Sequence, residues 1–471
     1  MKRLYYICCV LGILLVSSCD SLLNVNDDPA RVSAEEATLP TLLPSAIRAS
    51  ATTMYGAAQY GNQYPQYLAG QAISQYTPYG FDQLWRPLYS EALPTLQDII
   101  VRAEAAEAYN YSGIAKTLLG LLLMTATDVY GSIPYTQANQ GTGNLYPCYD
   151  TMQELYEEHI ISLLNEAIED LQKPAPELAG LRVVQNDYIY AGDLEQWLKA
   201  AYAVRARYYL HLANRNPELL SNAIADAERS FTSNADDLAL TYEEQNANPW
   251  FGFLGNATNK IMRPSSYLVD LLAGRSAFAV EDPRLTVYMT KTGTAEADGI
   301  TPGELIGSNA QANVDVTAST WHASAEAPLE MITYAEMQFI LAEAYYPTDK
   351  AAAYAAYLRG IEASLSKVGV APEDIAAFMQ SPEIAVGAEN LTISDIMLQK
   401  YLALYLQIET WTDMRRYQYD PEVYIDLEKP IVNQIPGNPW IQRSNIADDE
   451  PGVNTCLPEV PDQGVTLWLF E

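Results

Sequence analysis

The stretch Thr333-Tyr334-Ala335-Glu336-Met337-Gln338-Phe339-Ile340-Leu341-Ala342-Glu343-Ala344-Tyr345-Tyr346 decides how the chain is read. Tyr334, Met337, Leu341 and Tyr345 recur at helical spacing. Phe339, Ile340 and Ala342 add a second apolar flank, and Pro347 stops the pattern. A helix that is apolar on most sides has packed neighbours all round it. Ala335, Ala342 and Ala344 let those neighbours come close. Two carboxylates, Glu336 and Glu343, sit inside this apolar run. Burying a carboxylate is costly unless it is paired, so the two are structural pins or a catalytic pair. Their spacing at 1.5 Å rise per residue is about 10.5 Å along the axis. Glycosidic pairs stand roughly 5–5.5 or 6.5–9.5 Å apart. The pin reading is therefore preferred. Arg415 and Arg416 close the last long helical pattern beside Glu409, Trp411 and Asp413, and are the expected partners of Glu336 or Glu343.

Outward from this stretch the chain reads as helix hairpins. Asp150 with Gln153, and Asp193 with Gln196, have capping-box spacing. Asn216-Pro217 opens a further helix. The hairpins have tetratricopeptide-like size without a strict repeat of about 34 residues. The expectation is a mainly α chain, a tetratricopeptide-like helix-pair scaffold forming one domain over 32–471. Two ring-rich irregular stretches, about 55–89 and 240–328, are its ligand loops. Long irregular segments inside a helical protein are usually functional. The tail from Asp420 to Glu471 is rich in Pro and Asn and is expected to wrap the surface in extended segments.

Aromatic recognition is the chemistry those loops offer. A ring presents a rigid apolar face, and the Tyr hydroxyl or Trp N–H adds a polar edge, a combination that matches the C–H patches and hydroxyls of a sugar. The candidate rings are Tyr76, Tyr79, Trp85, Trp250, Phe251 and Trp321. Asn248, Asn256 and Arg263 are the candidate polar contacts, and His322 is a further candidate beside Trp321. Core packing or loop stapling is the alternative for each ring, most of all for Trp85, which enters a helix.

Composition narrows the partners. Acidic residues outnumber basic ones 59 to 27, for a formal charge of −32. Phosphate backbones and anionic lipid would be repelled, so nucleic acid is excluded as a partner. The 34 tyrosines suit a neutral or cationic small ligand. Lys2-Arg3, the apolar Leu4–Val16 and Val16-Ser17-Ser18-Cys19 read as a lipoprotein signal over 1–18 with a lipobox. Cys19 is the expected lipidation site, and residues 19–31 are a lipidated tether that anchors the body to a membrane. Gly113–Ala126 is the nearest later approach to a spanning segment and is too short. Export into oxidising surroundings would let Cys148 and Cys456 pair, although two buried thiols fit the same sequence. No Gly-x-Ser-x-Gly, His-Glu-x-x-His or phosphate-loop motif occurs, so no catalytic residue, metal ligand or cofactor is assigned. Asp448-Asp449-Glu450 lacks calcium-loop spacing and reads as an acidic turn. His159 and His211 read as ordinary helical residues.

Five stretches, in order, carry a family likeness. They are Asp128–Ala138; Asp193–Asn214, with Trp197-Leu198-Lys199 and Arg205/Arg207; Thr333–Tyr346; Gln399–Arg416; and the tail residues Arg443, Glu450 and Asn454. With the lipobox they resemble the SusD/RagB family of outer-membrane nutrient-binding lipoproteins, in its SusD-like branch. The family tail usually has Tyr-Pro shortly after its arginine, where this chain has Ala447-Asp448, and it closes here on Trp468-Leu469-Phe470-Glu471. The resemblance implies four tetratricopeptide-like helix pairs with a ligand face on one side. It also implies a non-catalytic, cell-surface protein that binds an oligosaccharide, or a peptide as in the RagB branch. The implied partner is a SusC-like TonB-dependent transporter. A pure scaffold role would leave the ring-rich loops idle.

Overall fold

The computed structural model describes residues 37–70, 76, 80–258, 260–303, 312–430, 435–459 and 462–471. The expected signal, Cys19, the tether and Tyr79 lie outside the described residues. The chain is mainly α. Its helices, in order, are α1 (Leu39–Gly61), α2 (Asp82–Pro87), α3 (Leu93–Ala105), α4 (Tyr109–Tyr130), α5 (Met152–Glu154), α6 (Ile161–Leu171), α7 (Leu194–Leu212) and α8 (Leu220–Ala227). After two short helices, α9 (Ser266–Leu272) and α10 (Leu285–Tyr288), come α11 (Tyr334–Tyr345), α12 (Lys350–Lys367), α13 (Pro372–Met379), α14 (Ile393–Ala403) and α15 (Glu409–Arg416). A π turn, Leu88–Ala92, joins α2 to α3, and another, Leu155–Ile160, joins α5 to α6. Helix pairs α3/α4, α4/α6, α7/α8 and α11/α12 pack in succession, as tetratricopeptide-like hairpins do.

Local chemistry sets most of these boundaries. Asp193 caps α7 by accepting from the Glu195 and Gln196 amides. Asn216 accepts from Glu218 N just before α8. One boundary moves by a residue: Thr151, with Glu154, forms the capping box expected of Asp150 and Gln153. Asp150 is engaged elsewhere, accepting from the Tyr135 and Thr136 amides. The last long helical pattern breaks into α14 and α15 around Leu406, which has φ +65°. Helix α4 runs for 22 residues and is apolar enough to cross a membrane, longer than the sequence pattern implied, yet its side chains are buried inside the protein.

Helix α11 is the element the others enclose. It packs against α12, α8, α14 and α7. Thr333 caps it by accepting from Glu336 N. Phe339 lies so close to α12 that a Cβ on Gly360 would stand 2.8 Å from its ring. Glu336, Gln338 and Glu343 are all buried.

The buried carboxylates belong to a lattice of opposite charges. Arg207 of α7 forks onto Glu336, with Nε–Oε1 and Nη2–Oε2 both at 2.6 Å. Burial pushes the Glu336 carboxyl up and the Arg207 charge opposes it. Glu343 is held down by Arg416 and Lys400 against the effect of its burial. Arg416 lies 2.7 Å from both Glu343 and Asp413, and Lys400 is 2.8 Å from Asp413. His211 of α7 lies between Glu409 at 2.7 Å and Asp128 at 3.3 Å. The lattice holds five acidic groups (Asp128, Glu336, Glu343, Glu409, Asp413) and four basic ones paired to them (Arg207, His211, Lys400, Arg416). The expected partners of the two glutamates need correction in part. Arg416 meets Glu343, but Arg207 takes Glu336, and Arg415 turns away to the carbonyls of Asp128 and Gln442 between the rings of Trp411 and Phe470. Burial lowers Arg415 to about 10.

The irregular region between α8 and α11 is held at its ends. Strand β2 (Leu238–Leu240) pairs antiparallel with β6 (Leu329–Ile332), which leads into α11. Lys367 of α12 clamps this ribbon, 2.8 Å from both Asp237 and Glu330. Within the region β3 (Met262–Pro264) pairs with β1 (Leu68–Gly70), and β4 (Thr290–Lys291) with β5 (Val314–Asp315). Among its described residues the tail is irregular apart from a short turn, Trp468–Phe470. It sends Ile441, Ala447, Leu469 and Phe470 into the core. A disulfide between Cys148 and Cys456, with Cα atoms 4.9 Å apart, fastens it to the loop before α5.

Two outcomes follow from the charge lattice. Glu336→Ala leaves Arg207 buried beside Glu409 alone and should cost about 3–5 kcal/mol in urea unfolding, whereas replacing both partners by apolar residues of similar volume should recover most of that loss. The second outcome concerns pH. His211 is raised from 6.5 to about 9, because the Glu409 and Asp128 carboxylates outweigh the cost of burying its charge. Its stabilisation is therefore complete below 6.5 and lost as pH rises through about 9. Glu409 is lowered from 4.5 to about 2, held there by His211 and Arg207 against its burial. Its stabilisation is present above 4.5 and lost as pH falls through about 2. Urea midpoints measured against pH should fall on both limbs, and His211→Gln should flatten the alkaline one.

Candidate functional site

Two loops and one helix bring aromatic rings together at the surface. The C-terminal half of α1 carries Tyr55, Gln59 and Tyr60. Opposite stands a single π-helical turn, Phe251–Gly255, preceded by Trp250. Such turns recur at functional sites. Trp250 is buried and meets Tyr55 edge-on at 4.9 Å, while Phe253 meets Tyr60 edge-on at 5.5 Å. Trp250 and Phe253 are 6.1 Å apart. Tyr55, Tyr60, Phe251 and Phe253 are half-buried, and Gly252 and Asn256 are exposed, so the rings form a partly open face.

The turn is held by its neighbours. Asn248 accepts from Trp250 N at 2.7 Å, and its amide donates to Ala327 O at 2.8 Å. The backbone amide of Asn248 donates to Ala325 O. Gly255 lies against Ala323, where a Cβ would come 2.3 Å from the Ala323 carbonyl oxygen. Loop 248–256 and loop 317–327 are therefore one packed layer.

Beside the rings lies a hollow of about 360 Å³, lined by Tyr55, Gln59, Asp82, Gln83 and Arg86 among others. That volume is at the small end of ligand sites. Arg86 is not free there, since Asp449 of the tail takes it in a fork at 2.7 and 2.9 Å. Asp82 accepts from Asp448 N, and burial raises its carboxyl. Gly56 lines the hollow where α1 and α2 nearly touch, and a Cβ on it would stand 1.8 Å from Gln83 O.

The candidates read from sequence separate into three groups. Trp250 is buried and backs the ring face edge-on to Tyr55, and Phe251 is half-buried on the same π turn. Asn248 is beside it, but its side chain is buried and committed to backbone partners. Trp321 is half-buried on the adjoining loop, edge-on to His322 at 4.7 Å. His322 is buried, and desolvation lowers it to about 3, so it is a neutral imidazole. Arg263 is half-buried on β3, 3.9 Å from Asp315. Tyr76 and Trp85 are in the core. Tyr76 packs edge-on to Tyr64 and Trp440, and Trp85 packs with Tyr89, Tyr130 and Tyr149. Tyr55, Gln59, Tyr60 and Gln83 fall within the ring-rich stretch 55–89, and Phe253 within 240–328, but none was a candidate contact. The first three fall within a stretch read as loop, whereas α1 continues as helix through Gly61 and presents them on one side.

Residues 29–443 match the family model SusD-like_2, described as starch-binding associating with outer membrane. The chain belongs to the SusD-like family. Its fold is that of solved members. A SusD/RagB family protein from Bacteroides thetaiotaomicron VPI-5482 superposes with a TM-score of 0.73 at 25% identity, covering 89% of this chain and 95% of that one. A chitin-binding protein gives 0.74 at 22%, covering 92% and 100%. A chitin-binding SusD homolog from Flavobacterium johnsoniae gives 0.73 at 18%, covering 92% and 98%. Among curated proteins none matches.

Because Gly56 fixes the distance between the walls of the SusD-like hollow, Gly56→Ala should push α2 outward. Overpacking of this kind costs typically 1–3 kcal/mol. A lowered melting temperature with a changed Tyr55 environment, read by nearby Trp250 fluorescence, is the expected result.

Proposed function

We propose that this SusD-like protein captures an oligosaccharide at the cell surface and passes it to a SusC-like TonB-dependent transporter. It does no chemistry on its ligand. The observation that carries this reading is the ring face of Tyr55, Tyr60 and Phe253, backed by buried Trp250, beside the hollow lined by Gln59 and Gln83. Half-buried rings supply flat apolar contact at little entropic cost, and the amides supply hydrogen bonds to hydroxyls. Family membership supports a glycan and an outer-membrane location. The acidic surplus of the chain favours an uncharged ligand over a uronate or sulfated one. Lipid on Cys19 would hold the protein over the transporter and raise its local concentration there.

Calorimetry with starch- and chitin-type oligosaccharides beside a peptide panel tests this. One glycan class should bind, and Phe253→Ala or Tyr60→Ala should weaken it by about tenfold or more, equivalent to roughly 1.4 kcal/mol. Binding of peptides alone, or glycan binding indifferent to both substitutions, would reject the reading.

A further inference from the structure

Behind the ring face, toward the charge lattice, lies a cavity of about 30 Å³. Its lining includes Trp250, Arg207 and Glu409, together with His322, Tyr405 and Gln407. Those last three side chains are more than nine-tenths buried. Each carries a polar atom with no protein partner: His322 Nδ1, Tyr405 Oη and Gln407 Oε1. The other end of the Gln407 amide is used, donating to Glu330 at 3.3 Å. The rings of His322 and Tyr405 are locked against each other edge-on at 5.0 Å, and Tyr288 stacks on Tyr405 at 4.7 Å, so neither can swing to a new partner.

We infer that this cavity is a hydration site, holding one or two ordered water molecules that bridge His322, Tyr405 and Gln407. Size and chemistry both favour it. A water needs about 10–15 Å³ of such space and two to four polar partners. An amide oxygen accepts, a phenol donates or accepts, and a neutral imidazole nitrogen does either according to its tautomer, so a bridging water can satisfy all three. Leaving three buried polar atoms unpaired costs far more than immobilising a water. The site couples two parts of the molecule, since the same water-filled space is walled by a ligand-face ring and by the ionic groups of α7 and α15. This inference does not depend on the nature of the ligand.

A high-resolution crystal structure of the full chain, with a second crystal pressurised with xenon, tests the assignment. Water density within about 2.7–3.2 Å of at least two of the three atoms, and no xenon, is the expected result. Gln407→Met should then remove or displace the water peak nearest that side chain. Xenon in the cavity with no water density would overturn the inference, because only a dry apolar void takes up the gas. Direct protein hydrogen bonds to all three atoms would overturn it equally.

Discussion

A buried lattice of opposite charges joins α4, α7, α11, α14 and α15, and the rest of the molecule is arranged about it. The contacts run from Arg207–Glu336 through Glu409 and His211 to Asp128, and from Glu343 through Arg416 and Lys400 to Asp413. Each ion would be costly alone in the interior, and in this arrangement of helices each carboxylate has a cationic partner. The lattice thus contributes register more than net stability. Apolar packing supplies the bulk of the driving force, and the ions dictate which packing is adopted.

The ring face depends on that register indirectly. Helix α11 carries Glu336 and Glu343, and β6 immediately precedes it. Strand β6 pairs with β2, and Lys367 clamps both, so the ends of the long irregular insertion are fixed where the lattice fixes α11. Asn248 and Gly255 then tie the π turn to the 317–327 loop. Trp250 and Phe253 reach Tyr55 and Tyr60 through this chain of constraints. On the other side the disulfide and the Arg86–Asp449 fork draw the tail to the rim of the hollow.

Much of the scaffold was legible in the sequence because its signals are local. The apolar run of Thr333–Tyr346, the caps at Asp193 and Asn216, and Pro347 each act within a few residues. The pairing of Glu336 was not legible, because Arg207 lies 129 positions away and several arginines fit the role equally well on paper. The site was legible only in part. The candidates Asn248, Trp250 and Phe251 marked one wall. The other wall stands on α1, where Gln, Gly and Tyr suggested a loop although tertiary packing keeps the helix intact to Gly61. Tyr76 and Trp85 show the opposite failure. Composition cannot tell a ring that faces a ligand from one that fills a core, and these two are buried.

Membership in the SusD-like family and the ring face together make a binding protein whose interior charges are structural. That division of labour has one direct test: the crystal structure of the protein with a bound oligosaccharide. The account predicts sugar rings lying against Phe251, Phe253 and Tyr60, with polar contacts from Gln59 or Gln83, and the Arg207–Glu336 and Arg416–Glu343 pairs unmoved. A ligand seated elsewhere, or one that opens the buried charge lattice on binding, would contradict it.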